Sequence, residues 1–149
     1  MIVVLDSGPL GLISNPRSDE GHACGAWLRE VLRGGAHRVA IPEIADYEVR
    51  RELIRARKLR GLRRLDELRR TFDFLPITTS AMLMAAELWA QARQAGRPTA
   101  AEAALDGDVI LAAQVRVLQT PDTIVATANV RHLSRFTPAA RWTDIGLLP

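Results

Sequence analysis

The sequence lacks the features that mark membrane-spanning, secreted or disulfide-stabilised chains. No apolar stretch reaches about 18 residues, the length that a transmembrane helix needs, because the longest candidates are interrupted by Glu87, Gln114 and Arg116. The N-terminus has no basic region followed by a long apolar core, so we do not expect a signal peptide. Cys24 is the only cysteine, which excludes an intramolecular disulfide. We therefore expect a cytoplasmic protein with no membrane association.

Common nucleotide-binding and zinc-binding motifs are also missing. The chain contains neither G-x-x-x-x-G-K-[ST] nor G-x-G-x-x-G after its first apolar run, which argues against a nucleotide-binding domain. Its three histidines do not have the spacing of zinc ligands. With 149 residues, of which 48% are hydrophobic and 25% charged, the composition is that of an ordinary globular protein. We expect a single domain over residues 1–149.

Positive charge is concentrated in one segment. Residues 50–70 contain ten Lys or Arg and three Asp or Glu, a local charge of +7 in a chain whose net charge is +3. Such a basic segment binds a polyanion, binds an acidic partner or forms a solvated helical face. Arginine suits bidentate contacts with phosphate, and Arg50, Arg51 and Arg55 are the residues of this segment that we expect to contact a phosphate backbone.

Short apolar runs alternate with helical patterns, which predicts an α/β sandwich with a mainly parallel sheet. The strands are expected at residues 2–5, 37–41, 74–78, 123–127 and 140–145. The helices are expected at residues 20–33, 42–59, 62–72, 80–96 and 108–119, with residues 97–107 as a loop or short helical piece. In open sheets of this kind, ligands bind beyond the carboxyl ends of the strands.

Single residues set several of the expected boundaries. Pro42 is expected in the first turn of its helix, where its missing N–H costs little. Gly61 is expected to separate that helix from the next. Ser80 and Asp106 are candidate N-caps of the two helices that follow.

Several acidic residues lie at the ends of the expected strands and helices. Asp6 comes directly after the first strand, where it either belongs to a site or forms a turn or helix cap. Asp106 and Asp108 precede an apolar helix, which is equally typical of helix capping. Of these two, Asp108 leads into the segment expected to pack on the sheet. Asp122 precedes its strand and is expected at the opposite edge, away from Asp6.

Glu48 borders the apolar face of its expected helix. That face is formed by Ile44, Tyr47, Leu53 and, less regularly, Val49. A carboxylate beside a buried stripe needs a hydrogen-bond partner, water or a metal ion. Carboxylates that converge at one sheet edge stay ionised only beside cations, and oxygen ligands select Mg²⁺ or Mn²⁺. A metal-dependent nuclease is the function that these residues and the basic segment predict.

The order and spacing of four motifs resemble the PIN-domain ribonucleases, and most closely the VapC-type toxins of bacterial VapBC toxin–antitoxin pairs. The motifs are "VVLDSGPL", "IPEIADYEV", "DVILAA" and "TANVRHL", and the resemblance covers roughly residues 1–137. It implies a three-layer α/β/α sandwich, RNA cleavage with Mg²⁺ or Mn²⁺, a cognate antitoxin that blocks the site, and a homodimer. By the same resemblance Asp6, Glu48 and Asp108 form the catalytic metal site, with Asp106 as an additional ligand.

One position departs from the family. Asn129 stands where a fourth acid often follows the last core strand, which weakens a second metal site more than the first. Ser7, Thr127 and Asn129 are expected to orient water or phosphate. The alternative is a non-catalytic module of the same architecture that binds RNA or a protein partner. A phosphatase with an Asp nucleophile is less compatible, because Gly8 occupies the position of its usual second Asp.

Overall fold

A five-stranded sheet forms the centre of the molecule. The structure, a computed structural model, describes residues 1–96 and 102–146. The strands are β1 (Ile2–Leu5), β2 (Arg38–Pro42), β3 (Asp73–Leu75), β4 (Thr123–Thr127) and β5 (Ala139–Arg141). Their order across the sheet is β3-β2-β1-β4-β5, and each neighbouring pair is parallel. The predicted α/β fold with a parallel sheet is confirmed.

Helices cover both faces of this sheet. They are α1 (Ser7–Ser14), α2 (Asp19–Leu32), α3 (Glu43–Arg55), α4 (Leu59–Thr71), α5 (Thr79–Gln94), α6 (Glu102–Arg116) and α7 (Val130–Leu133). A 3₁₀ turn at Trp142–Asp144 follows β5. No helix in the described part of the chain is both long enough and apolar enough to cross a membrane.

Alternation along β1 divides the core into two faces, because successive strand side chains point to opposite sides of a sheet. Val3 and Leu5 pack with residues of α1 to α4, whereas Val4 packs with Leu111 and Val115 of α6. Helix α5 in turn packs on α6 through a separate cluster of small and branched residues. The three-layer arrangement that the resemblance implied is therefore present.

Helix α1 was not among the expected helices, although a helix cap was one of the roles considered for Asp6, and Gly8, Pro9 and Gly11 are poor or unusual helix residues. It forms nevertheless, since its first turn tolerates a proline and since Leu10 and Ile13 are buried. Asp6 is its N-cap and accepts a hydrogen bond from the Ser7 backbone N–H.

Two other boundaries were wrong. Pro42 is the last residue of β2 and precedes α3. The break between α3 and α4 lies before Gly61, at Arg57, whose φ of 55° is left-handed. Lys58 N–H donates to the Leu53 carbonyl there and closes the helix end. Gly61 instead lies within α4, where a Cβ atom would come 2.7 Å from Leu53 Cδ2.

The last corrections concern the starts of α5 and α6 and the end of the sheet. Thr78, not Ser80, caps α5 by accepting from the Ala81 backbone N–H at 3.0 Å. Helix α6 begins by Glu102, so Asp106 lies inside the helix and is not its N-cap. Residues 97–101 of the expected loop lie outside the described residues. The last strand ends at Arg141, earlier than expected.

Candidate metal-dependent active site

Asp6 lies at the carboxyl edge of the sheet, directly after β1. Its Oδ1 accepts from the Ser7 backbone N–H at 2.7 Å, and its Oδ2 accepts from the Thr127 hydroxyl at 2.7 Å. Its own backbone N–H donates to the Ala126 carbonyl of the neighbouring β4. Capping and a site role therefore coexist, because the cap uses only one of the two carboxylate oxygens. The position and orientation of this carboxylate are fixed from two strands.

Thr127 connects Asp6 with the segment after β4. The Thr127 side chain is fully buried, and its hydroxyl accepts from the Asn129 backbone N–H at 2.8 Å while it donates to Asp6. The positions at the ends of β1 and β4 are thereby held in one hydrogen-bonded chain. Thr127 orients the site from below, whereas Asn129 is exposed at its edge.

Glu48 approaches the same edge from α3. Burial raises the pKa of its carboxyl group, and the charge of Asp6 raises it further. Arg51 and a hydrogen bond from the Ser7 side chain act in the opposite direction. On the other side of Glu48 lies Gly107 of α6, where a Cβ atom would come 2.9 Å from Glu48 Oε1. Glycine at this position lets the carboxylate lie against the helix backbone.

Asp108 completes the acidic group from α6. Its side chain is only 16% exposed, and its pKa is raised to about 6 by burial and by the charges of Asp6 and Glu48. His132 Nδ1 lies 3.8 Å from Asp108 Oδ2. The effect of these charges on the pKa values shows that the three acids repel one another in this geometry.

These acids line one open pocket with a volume of about 670 Å³. The sequence-predicted residues that line it are Asp6, Ser7, Glu48, Arg51, Asp106, Asp108 and Asn129. Thr127 does not line the pocket, but its hydroxyl donates a hydrogen bond to Asp6. Asp106 is exposed, one position before Gly107, and is the most peripheral of the four acids. The structure thus brings together every predicted catalytic and water-orienting residue.

The donor chemistry of this pocket fits a hard divalent cation. Three carboxylates with raised pKa values are stabilised as anions by a cation, and carboxylate oxygen is a preferred ligand of Mg²⁺ and Mn²⁺. Within residues 1–96 and 102–146, no three His, Cys, Asp or Glu side chains are already grouped closely enough to hold a metal ion. A Mg²⁺ site commonly uses only one or two carboxylates together with water and substrate phosphate, so a preformed group of three is not required.

The three arginines that we expected to contact RNA lie in different environments. Arg50 forms a two-fold hydrogen bond with the buried Asp46, at 2.9 and 3.1 Å, and an ion pair with Asp66 of α4 at 2.9 Å. These contacts occupy its guanidinium group and tie α3 to α4, so its predicted phosphate contact does not fit the structure. Arg55 pairs with Glu52 at the surface. Arg51 lines the acidic pocket itself.

Sequence reasoning missed two contributors to the site. Gly107 was not among the predicted site residues, although a glycine between two acids inside a helical segment is a signal for close approach. Tyr47 was expected in the buried stripe of its helix but is 54% exposed and lines the pocket. The buried residues of α3 include Ala45, Val49 and Leu53, spaced by four, and Tyr47 is two positions from Ala45, on nearly the opposite side of the helix.

Three solved structures share this fold over nearly the whole chain. A chain of VapBC2 from Rickettsia felis, bound to a DNA fragment from its promoter, has a TM-score of 0.71 and 16% identity, covering 95% of this chain and 99% of that chain. VapBC-1 from nontypeable Haemophilus influenzae has a TM-score of 0.70 and 17% identity, and the match covers 97% of this chain and 100% of that chain. DNA-bound VapBC from Salmonella typhimurium has a TM-score of 0.61 and 17% identity, and the match covers 95% of this chain and 98% of that chain.

Comparison by sequence adds nothing to these matches. No protein-family model matches the chain, and no curated protein matches it. At such low identities the structural likeness establishes the fold alone. The expected resemblance to VapC-type PIN domains is thus confirmed at the level of the fold.

Proposed function

We propose that the chain is a metal-dependent ribonuclease that cleaves RNA phosphodiester bonds with Mg²⁺ or Mn²⁺. One observation carries this proposal: Asp6, Glu48 and Asp108, from three separate elements, line one pocket at the carboxyl edge of the sheet, where the charge of Asp6 raises the pKa of the other two. A purely structural acid would be expected to have an arginine or lysine partner, as Asp46 has Arg50. The three pocket acids instead share one pocket in which the charge of Asp6 raises the pKa of the other two, although Arg51 also lines it.

Each residue has a distinct task in this proposal. Asp6 and Asp108 would hold the cation, together with Glu48. When bound, a divalent cation stabilises the charge that develops on the phosphodiester and activates water for attack at phosphorus. Thr127 and the Ser7 backbone fix the Asp6 carboxylate, which keeps its ligand oxygen in place between turnovers. Pre-orientation of this kind lowers the reorganisation needed in the transition state.

Asn129 limits how much positive charge the site holds. Its side chain carries no charge, so it replaces a fourth acid with an amide that orients water or a phosphate oxygen through hydrogen bonds. Because Mg²⁺ commonly uses only one or two carboxylates, the three acids of the pocket are sufficient for one cation, and we propose a single ion at this site. Asp106, exposed at the edge of the pocket, supplies a further oxygen for a weaker ion.

The biological role proposed is the toxin component of a type II toxin–antitoxin pair in the cytoplasm. Its support is the nearly complete overlap with chains of VapBC complexes, together with the acidic pocket. A cognate antitoxin protein is the proposed partner.

We also propose a homodimer, for which the exposed apolar residues Met82, Leu83 and Trp89 of α5 are the supporting feature. Light scattering on the purified chain measures its oligomeric state.

Cleavage of a mixed, structured RNA tests the proposed activity. The chain is incubated with Mg²⁺, with Mn²⁺ or with EDTA, beside an Asp6→Asn variant whose folding is checked by thermal melting. The proposal predicts metal-dependent cleavage that the variant loses. Absence of cleavage by the folded wild-type chain on a broad set of cellular RNAs would favour the alternative, a binding module of the same architecture.

A further inference from the structure

Tyr47 is the only tyrosine of the chain, and its position at the active-site pocket is unusual. It directly precedes Glu48 on α3, lines the acidic pocket and is 54% exposed. Neighbours on the same helix, such as Ile44 and Ala45, are buried in the core. The ring therefore contributes little to the core and presents an aromatic surface at the mouth of the pocket.

Arg51 lies one helical turn after Tyr47 and contacts its ring. The guanidinium carbon of Arg51 is 5.0 Å from the ring centroid, within the range of a cation–π interaction. The contact holds two flat groups, one aromatic and one cationic, against each other at the edge of the pocket, with the guanidinium over the ring. Both are exposed, so a flat ligand has access to them.

A second groove continues from this pair. It runs between α1 and α3, has a volume of about 610 Å³, and shares Ser7, Gly8, Glu48 and Arg51 with the acidic pocket. Farther along, the groove is lined by Arg55 and Lys58. Glu52, which pairs with Arg55, also lines this groove. Arg51 thus lies where the acidic pocket meets a groove of mixed charge, and Arg51 and Lys58 provide cationic contacts for a phosphate chain that leaves the acids.

We propose that Tyr47 and Arg51 form a stacking platform for a nucleobase of single-stranded RNA beside the cleaved phosphate. The inference rests on the proposed ribonuclease function and names its substrate class. Bases of unpaired RNA stack on aromatic rings and on arginine planes, whereas bases inside a duplex do not present their faces. Every base has such a face, so the platform selects unpaired nucleotides and tolerates different sequences.

Binding of a labelled short oligoadenylate tests the platform. The measurement uses the full chain carrying Asp6→Asn, so that bound RNA stays intact, and compares it with the same protein carrying Tyr47→Ala or Tyr47→Phe. Stacking of one base contributes about 1–3 kcal/mol, which corresponds to a roughly 5- to 150-fold loss of affinity for Tyr47→Ala. Tyr47→Phe keeps the ring and is expected to bind within about threefold of the parent.

Two controls separate stacking from other effects. Ile54→Ala removes an exposed apolar side chain seven residues later on the same helix, from a residue that lines neither opening, and is expected to leave affinity unchanged. An abasic ribose-phosphate chain of equal length is expected to bind the parent protein and its Tyr47→Ala variant equally weakly. The melting temperature of each variant establishes that it is folded.

The outcomes distinguish this inference from the proposed function. Unchanged oligoadenylate affinity in Tyr47→Ala would overturn the platform even if the wild-type chain cleaves RNA. An equal loss with the abasic chain would also overturn it, because the ring would then act on the backbone. Loss of a protein partner with unchanged RNA affinity would overturn it too, and would assign Tyr47 to a protein interface. Failure of the wild-type chain to cleave any RNA would contradict the proposed function instead.

Discussion

Replacement of Asp108 by Asn is expected to stabilise the metal-free protein while it weakens cation binding and cleavage. The change keeps the shape of the side chain and removes one of three charges that repel one another. Burial and the charges of Asp6 and Glu48 raise the pKa of Asp108 from about 3.9 to about 6. At pH 7.5 Asp108 is therefore ionised in both states, and its charge has a higher free energy in the folded protein than in the unfolded chain.

The size of this effect follows from the pKa difference. A pKa difference of about two corresponds to roughly 3 kcal/mol of unfolding free energy. Solvent screening in an open pocket reduces this destabilisation to on the order of 1–2 kcal/mol. For a chain of this length that is a rise in melting temperature of about 2–8 °C. The measurement is thermal unfolding in EDTA, with Glu87→Gln, which removes an exposed acid of α5, as the matched control.

The pH dependence has a definite sign. A carboxyl group whose pKa is raised by folding binds more protons in the folded state, so its contribution to stability is present below about pH 4 and is lost as pH rises through about 6. The advantage of Asp108→Asn should therefore be small near pH 4 and largest above pH 7. Equal melting temperatures of wild type and variant at pH 7.5 would refute the repulsion on which the proposed site depends.

Three further predictions concern other contacts of the site. Gly107→Ala should keep or raise the melting temperature, since alanine favours helices, but should lower cleavage because a Cβ atom would displace the Glu48 carboxylate. Thr127→Val should reduce cleavage and cost about 1–3 kcal/mol in unfolding free energy, whereas Thr127→Ser retains the hydroxyl and serves as its control. Arg50→Ala should destabilise the fold by roughly 1–3 kcal/mol because it leaves the buried Asp46 unpaired. Arg51→Ala should instead weaken RNA binding and leave stability nearly unchanged. The reverse pattern in melting and binding assays would contradict these roles.

Much of the site was predictable because a parallel sheet brings the ends of distant strands together. Asp6 and Thr127 are far apart in sequence, but both follow apolar runs that form neighbouring parallel strands. Asp122, which precedes its strand, lies at the opposite edge and pairs with the N-terminal amine at 3.0 Å. Strand direction therefore separated Asp6 from Asp122, whereas Glu48 and Asp108 lie on helices.

Features that depend on tertiary packing were not predictable from local patterns. Helix α1 contains two glycines and a proline, and burial of Leu10 and Ile13 outweighs their poor propensity. The spacing of Ile44 and Tyr47 suggested one apolar face, but α3 is buried on a face that excludes Tyr47. Its exposure is visible only once the helix is placed against the sheet.

Arg50 shows the same dependence on packing. In sequence it is one of ten basic residues in residues 50–70, and nothing local distinguishes it from Arg51. Its spacing of four from Asp46 permits a helical ion pair, and the burial of Asp46 makes that pair structural. A basic segment therefore predicts a charged surface without predicting which residues are available to a ligand.

Asp6, Glu48 and Asp108 together hold, in the function proposed above, the divalent cation that RNA cleavage requires. The most direct measurement is the rate of RNA cleavage as a function of Mn²⁺ concentration, for the wild-type chain and for Glu48→Gln. We expect no cleavage in EDTA, a saturable rise in rate with Mn²⁺ for the wild type, and a higher Mn²⁺ requirement for the variant. Cleavage that persists in EDTA, or the same Mn²⁺ dependence in both proteins, would contradict this proposal.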